Sequence, residues 1–411
     1  MNKTLFSIIL LLLPIHIFSQ GGSNYSIFGI GDIIYGQSAA SQAMGGAQIA
    51  VPSKNTINML NPALWGMVNT TRVQTGYRFN QNYIESAESS LLQNNGTING
   101  FYSIFNFDPV REISAALLFQ PISSVNYYMS TPISMPDNDL DVVGDKIYKG
   151  SGGLSNLTFG LGTKIINGVY IGASVSAIIG KIDHNIRTNI TTAGADNYQI
   201  SNNNVFSGLN GSIGVLFVPI DNLCVGAFYQ MQNEASVENR MEYIYVPASS
   251  FLRDTALVKD IKQQLPNFFG VGASYTFGRY LLAADALFGN FSDVQTYQSD
   301  AVGEFSNSSK FSLGLSILGN QNPYASLVSR ASYKVGAYYE KMYYNIDSKQ
   351  VIEYAITGGL QFPISRTAQL DFSLALGRRG TNDALINETF GRIIIEISIG
   401  DTWFKPVRNE Y

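Results

Sequence analysis

The sequence is poor in charge. Asp, Glu, Lys and Arg together make up 14% of its 411 residues, against roughly 25% in an ordinary soluble domain. Cysteine occurs once, as Cys224, so no internal disulfide can form, and the thiol reads as a small strand residue. Histidine occurs only as His16 and His184. One His and one Cys past the leader cannot build a His/Cys metal site. A Ser-His-Asp triad would need His184, which sits at a strand's outer end with nothing to supply the geometry. Gly29-x-Gly31 and Gly160-x-Gly162 precede no convincing helix, so neither reads as a nucleotide loop. Asp137, Asp139, Asp141 and Asp145 could hold Ca²⁺, but their spacing is not that of an EF-hand and a solvated loop is the plainer reading. Past the N-terminus no run of roughly 18 apolar residues exists, so no membrane helix is expected. These absences argue against an enzyme, and no metal or cofactor is expected.

Aromatics and glycine are plentiful: 24 Tyr, 24 Phe and 39 Gly. Mean hydropathy is nonetheless only +0.05. A transmembrane β-barrel explains this combination, because lipid-facing and lumen-facing residues alternate and cancel in any window average. A secreted soluble β-sandwich or β-helix is the alternative. The N-terminus sets the compartment. Lys3 supplies a positive start and Leu5 to Ile15 a short apolar core; Ile17-Phe18-Ser19 places cleavage after Ser19, making residues 1–19 a signal peptide. Losing Lys3 takes the formal charge from −4 to −5, which argues against nucleic acid as a partner.

Residues 20–66 are rich in Gly, Ala, Ser and Ile and alternate weakly, which suggests a plug or hatch inside the barrel. From residue 71 the period becomes two. Val73, Thr75, Tyr77 and Phe79 fall on one face and Arg72, Gln74, Arg78 and Asn80 on the other. The pattern recurs about fourteen times, centred near residues 77, 103, 118, 159, 174, 212, 229, 272, 285, 313, 337, 357, 373 and 396. Short turn signals, such as Asp108-Pro109, Ile166-Asn167-Gly168 and Pro363-Ile364-Ser365, read as periplasmic turns. Residues 131–150 and 192–204 read as extracellular loops. Residues 249–262 break the pattern and suggest a short surface helix with Leu252, Ala256, Leu257 and Ile261 near one face. The paired acids Glu353 and Asp371 read as lumen polarity. The last strand presents Ile393, Ile395, Ile397 and Ile399 to one side, followed by Trp403 and Phe404, and residues 405–411 form a tail. That terminal strand resembles the segment by which barrel-insertion machinery recognises its clients.

Met44-Gly45-Gly46-Ala47, followed by Asn61-Pro62-Ala63 just before the first strand, resembles the FadL family of outer-membrane long-chain fatty-acid transporters. A second echo is Leu265-Pro266 leading into Gly270-Val271-Gly272. The resemblance implies a fourteen-stranded barrel over residues 67–404 with the hatch at 20–66, in a Gram-negative outer membrane. It also implies passive uptake of hydrophobic small molecules and lateral release at a kinked third strand. Pro121, in the third strand here, is the candidate for that opening, since proline donates no ladder hydrogen bond; the ordinary end of the strand's regular part is the alternative. The expected loops are polar, and Leu91, Leu92, Phe251, Leu252 and Leu257 are the best apolar candidates for capture. Besides membrane lipid and a hydrophobic ligand, partners could include proteins of an outer-membrane complex. The competing functions are a structural barrel subunit of such a secretion or assembly complex and an open porin, the latter disfavoured by the hatch.

Overall fold

A computed structural model describes residues 21–403, apart from 87–89, 138–139, 193–196, 247–251, 292–293, 295–304, 347, 366 and 382–385. The expected signal peptide, Phe404 and the tail at 405–411 lie outside the described residues. A two-residue strand, β1 (Asp32–Ile33), precedes the wall. The wall comprises β2 (Thr71–Ser86), β3 (Ser90–Asp108), β4 (Ile113–Pro121), β5 (Ser123–Asp137), β6 (Leu140–Ile166), β7 (Val169–Ile190), β8 (Asn197–Ile220), β9 (Leu223–Gln232) and β10 (Glu234–Val246). It continues with β11 (Leu252–Gln264), β12 (Asn267–Phe277), β13 (Tyr280–Asn290), β14 (Ser308–Ile317), β15 (Ser332–Ile346), β16 (Lys349–Pro363), β17 (Ala368–Gly380) and β18 (Ile386–Asp401). Two four-residue helices, α1 (Ala39–Gln42) and α2 (Leu327–Arg330), and two 3-10 turns, Asn24–Ile27 and Pro62–Met67, complete the set.

Three wall strands are interrupted. β4 and β5 pair in succession with β6, β9 and β10 with β8, and β11 and β12 with β10 and β9. Counting each interrupted strand once gives fourteen antiparallel strands. The last, β18, pairs with the first, β2, from Asp401↔Thr71 to Ile386↔Ser86 and closes the cylinder. All fourteen expected centres fall within these strands.

The burial pattern is that of a membrane wall. Leu157, Phe159 and Leu161 of β6 are exposed while Asn156 and Thr158, alternating with them, are buried; Ile395, Ile397 and Ile399 are exposed while Glu396 and Ser398 are buried. Apolar groups thus face outward and polar groups inward, the reverse of a soluble sheet. No described helix is long and apolar enough to cross a membrane. One end of the barrel is closed by tight turns, as at Gly168 and Gly278. By the rule that periplasmic turns are short, this end faces the periplasm.

The other end corrects the sequence reading. Residues 131–150 and 192–204 are not loops: apart from 138–139 and 192–196 they belong to β5, β6 and β8. β6 has 27 residues, where a spanning strand needs roughly 9–11. The surplus continues outward as a half-wall formed by the outer parts of six strands, β5, β6, β7, β8, β10 and β11. Outside lipid neither face must be apolar, so the alternation disappears although the ladder continues. The helix expected at 249–262 is also absent. From Leu252 onward this stretch is β11, paired with β10 from Leu252↔Tyr245 to Gln264↔Glu234, while 249–251 lie outside the described residues. A neighbouring strand offering its backbone outweighed the weak helical spacing. His184, expected at a strand's outer end, lies towards the outer end of β7, with Nδ1 2.8 Å from the Tyr127 hydroxyl.

Candidate functional site

The N-terminal segment runs through the interior, bonded to strands on all sides. Wall carboxylates hold its backbone. Glu388 accepts from the Asn24 N–H at 2.7 Å and the Ser23 hydroxyl at 2.6 Å. Glu396 accepts from the Ala39 N–H at 2.7 Å, and Asp285 from the N–H groups of Gln48 and Ile49 at 2.6 and 2.8 Å. Met44 is buried beside Ala47, Leu281 and Ala283. Gly45 has φ +70° and lies so close to the Ala337 carbonyl that a Cβ would collide with it; its N–H donates to Thr357 Oγ1 at 2.9 Å. Gly46 follows with φ +90°. Asn61 caps the 3-10 turn Pro62–Met67 by accepting from the Ala63 N–H at 3.1 Å. Its amide donates to Ile49 O at 2.9 Å and to Val215 O of β8 at 3.2 Å. The Asn-Pro-Ala element therefore pins the segment to the wall before the first strand begins.

Pro121 is the last residue of β4, opposite Ser155 of β6. Beyond it the third wall strand changes partners on one side. β3 pairs with β4 from Asp108↔Ile113 to Phe101↔Phe119, and among the described residues no ladder pair joins β3 to β5. Gly100, just past the last pair, has φ +135°, and a Cβ there would lie 2.6 Å from the Phe119 carbonyl oxygen. The wall thus carries a seam between the upper parts of the second and third strands. The N-terminal segment occupies the lower part of the freed β5 edge. Asp32 and Ile33 pair with Ser124 and Ser123. The Ile34 N–H donates to Ile122 O at 2.8 Å and the Gly22 N–H to Asn126 O at 2.7 Å. The Gln93 side chain spans the seam, its amide donating to Tyr128 O at 2.8 Å.

Charges behind the seam hold this arrangement. Arg379 of β17 binds Asp32 at 2.9 Å, Glu353 at 2.5 Å and the Ser23 hydroxyl at 2.6 Å. Burial pushes the Asp32 carboxyl above its ordinary value, and the Arg379 guanidinium opposes that rise. Lys310 pairs with Glu340 at 2.8 Å and lies 4.1 Å from the Tyr338 ring centre. A cavity of about 70 Å3 reaches from these groups to Thr97 and Ser124 at the seam. A smaller one of about 30 Å3, lined by Ile33, Ile122, Phe228, Phe268 and Leu287, adjoins the interruption itself.

Leu91 and Leu92 are exposed near the outer end of β3, whereas the side chains of Phe251, Leu252 and Leu257 lie outside the described residues. Leu265-Pro266 marks the break between β11 and β12. Ile393 is half-buried, and Ile395, Ile397, Ile399 and Trp403 are exposed; Trp403 stands 6.1 Å from Phe105. Sequence reasoning missed Arg379, Asp32 and Gly100. An arginine in a strand otherwise facing the lumen with small residues, and a glycine inside a periodic strand, were the available signals.

The fold is shared with solved outer-membrane proteins. The toluene transporter TbuX of Ralstonia pickettii superposes with a TM-score of 0.64 at 16% identity, over 89% of this chain and 98% of that one. A FadL homologue of Pseudomonas aeruginosa gives 0.61 at 12%, over 91% and 100%. The toluene transporter TodX of Pseudomonas putida gives 0.62 at 12%, over 90% and 100%. No curated protein sequence matches. The BamG family profile matches residues 1–410. With its lipid-facing wall and FadL-type architecture, the chain is a Gram-negative outer-membrane β-barrel, and it belongs to the BamG family.

Proposed function

We propose that the protein passes small hydrophobic molecules across the outer membrane and releases them sideways through the seam. In this reading residues 20–66 act as the hatch and Pro121 marks the opening. The observation that carries it is the missing ladder between β3 and β5, since a closed wall would offer no exit to the lipid. The apolar cavity beside Ile122 supports the reading, as does the shared fold with the toluene transporters TbuX and TodX. The test is to replace Cys224 by Ser, introduce Thr97→Cys and Ser124→Cys, and join them with a short bifunctional maleimide. Toluene uptake by intact cells should fall at least tenfold after cross-linking and be unchanged in either single variant. Full uptake by the cross-linked barrel would remove lateral release.

A second reading is a stable subunit of a larger outer-membrane assembly. It is favoured by the interior: the N-terminal segment is tied to the wall by buried ion pairs, and charged and amide groups, rather than apolar ones, dominate the cavity behind the seam. The family name points towards the barrel-assembly machinery. Purification in mild detergent separates the two: a stoichiometric protein partner favours the subunit, and a monomer carrying hydrophobic ligand favours transport. On either reading, Ile393, Ile395, Ile397, Ile399, Trp403 and Phe404 are proposed as the insertion signal. Replacing Trp403 and Phe404 by Ser should lower the amount of assembled barrel.

A further inference from the structure

The cavity behind the seam carries more cations than its own carboxylates take up. Arg78, Lys310, Arg379 and Arg392 line it, against Asp32, Glu340 and Glu353. All three carboxylates are paired: Arg379 holds Asp32 and Glu353, and Lys310 holds Glu340. Arg78 and Arg392 are left over, and neither makes an ion pair among the described residues. Glu396, whose field reaches Arg78, is engaged by the Ala39 N–H at 2.7 Å and the Asn99 amide at 2.6 Å.

The ladder register brings the two arginines together. Arg392 of β18 lies opposite Asn80 of β2, and Ile394 lies opposite Arg78. Arg78 and Arg392 are therefore diagonal neighbours on the lumenal face, about 7–8 Å apart and within reach of long side chains. Each guanidinium is oriented through its Nε, which donates to Asn99 Oδ1 at 3.1 Å in Arg78 and to Asn80 Oδ1 at 3.0 Å in Arg392. Arg78 Nη2 donates to Gln37 O at 3.3 Å, and the Arg392 guanidinium lies 5.3 Å from the Phe390 ring centre. Arg78 Nη1 and both Nη groups of Arg392 have no hydrogen-bond partner among the described residues. Asn82, Asn95 and Thr97 line the same cavity and add amide and hydroxyl donors. Two adjacent cations in an interior are costly unless an anion sits with them. A tetrahedral oxyanion has oxygens enough to take both guanidinium forks and the amides at once. The cavity of about 70 Å3 holds about five water-sized groups at roughly 10–15 Å3 each, which suits a phosphate.

We propose that Arg78 and Arg392 bind a phosphoryl group in this cavity. It is either free phosphate or the headgroup of a lipid that reaches in where the cavity meets the seam at Thr97 and Ser124. The site is read by binding and the lateral route by uptake, so either can fail alone. The test uses the full-length barrel in dodecyl maltoside. Calorimetry titrates inorganic phosphate, and native mass spectrometry compares phosphatidic acid with diacylglycerol of the same chains. Saturable phosphate binding, one per barrel, without preference for phosphatidic acid over diacylglycerol, identifies the free ion. A preference of at least tenfold for phosphatidic acid identifies the headgroup. Arg392→Gln should weaken the ligand that binds at least tenfold, and Arg392→Lys, which keeps the charge and loses the fork, severalfold. Binding of neither probe, unchanged affinity in Arg392→Gln, or dodecanoate binding as tightly as the phosphoryl probe would overturn the site. Retained heat-modifiable gel mobility establishes that each variant has folded. If Arg392→Gln does not assemble, Arg392→Lys and the contrast with dodecanoate decide.

Discussion

The two halves of the third wall strand share one neighbour, β6, and differ in the other. β4 is laddered on both edges, to β3 and to β6. Among the described wall strands β5 is laddered to β6 alone, and on its other edge only the first few residues meet the N-terminal segment, with Ser123 and Ser124 paired to β1. A wall strand inside a bilayer cannot leave its backbone unpaired without a cost of several kcal/mol per group. The lower half obeys this rule. The upper half breaks with β3 and satisfies part of its edge with residues 22 and 32–34 instead. A seam in the wall is thus stabilised by giving the freed edge a substitute partner from inside.

Several variants should break or sharpen that contrast. The largest effect is expected from Arg379→Met. It leaves Asp32 and Glu353 buried without their partner, which should cost about 3–5 kcal/mol. The thermal midpoint should fall, and hydrogen exchange should rise at residues 123–126 more than at 114–120; an equal rise in both would contradict the substitute-partner account. Next is Gly100→Val, which forces a side chain against the Phe119 carbonyl at a backbone angle that L residues avoid. A loss of about 1–3 kcal/mol is expected, read as reduced resistance of the folded barrel to heating in detergent. Pro121→Val restores one backbone donor and should slow toluene uptake severalfold while leaving the amount of assembled barrel unchanged; normal uptake would detach Pro121 from the opening. The smallest effect concerns Gln93, whose side chain spans the seam. Gln93→Ala removes a single hydrogen bond worth about 1 kcal/mol, and cross-linking between positions 97 and 124 should become slightly less efficient, with no change in stability of the β4 half.

Much of the fold was legible in the residues. Each period-two segment, from Val73-Thr75-Tyr77 to Ile395-Ile397-Ile399, lies in a wall strand, because lipid on one side and a polar lumen on the other impose alternation wherever the chain crosses the bilayer. The Asn-Pro-Ala element could be placed at the junction because Asn61 caps the turn locally. The extracellular half-wall was not legible: Asn202, Asn203 and Asn204 look like a loop, yet they pair with β7 and β10. No solvent asymmetry marks such strands. The short helix expected around Leu252 failed for the same reason, since its alternative was a ladder formed with a distant strand.

The sequence by itself determined an exported, charge-poor, fourteen-strand barrel with a glycine-rich N-terminal segment. Those properties follow from local periodicity and composition, which each crossing carries within its own ten or so residues. Only the tertiary structure decided where the wall parts, what fills the parted edge, and which charges meet in the interior. Asp32 and Arg379 stand 347 positions apart and bond at 2.9 Å; β3 and β5 are near in sequence and do not pair. Closure of the cylinder brings distant residues together and sets the register in which every lumen-facing group finds, or lacks, its partner.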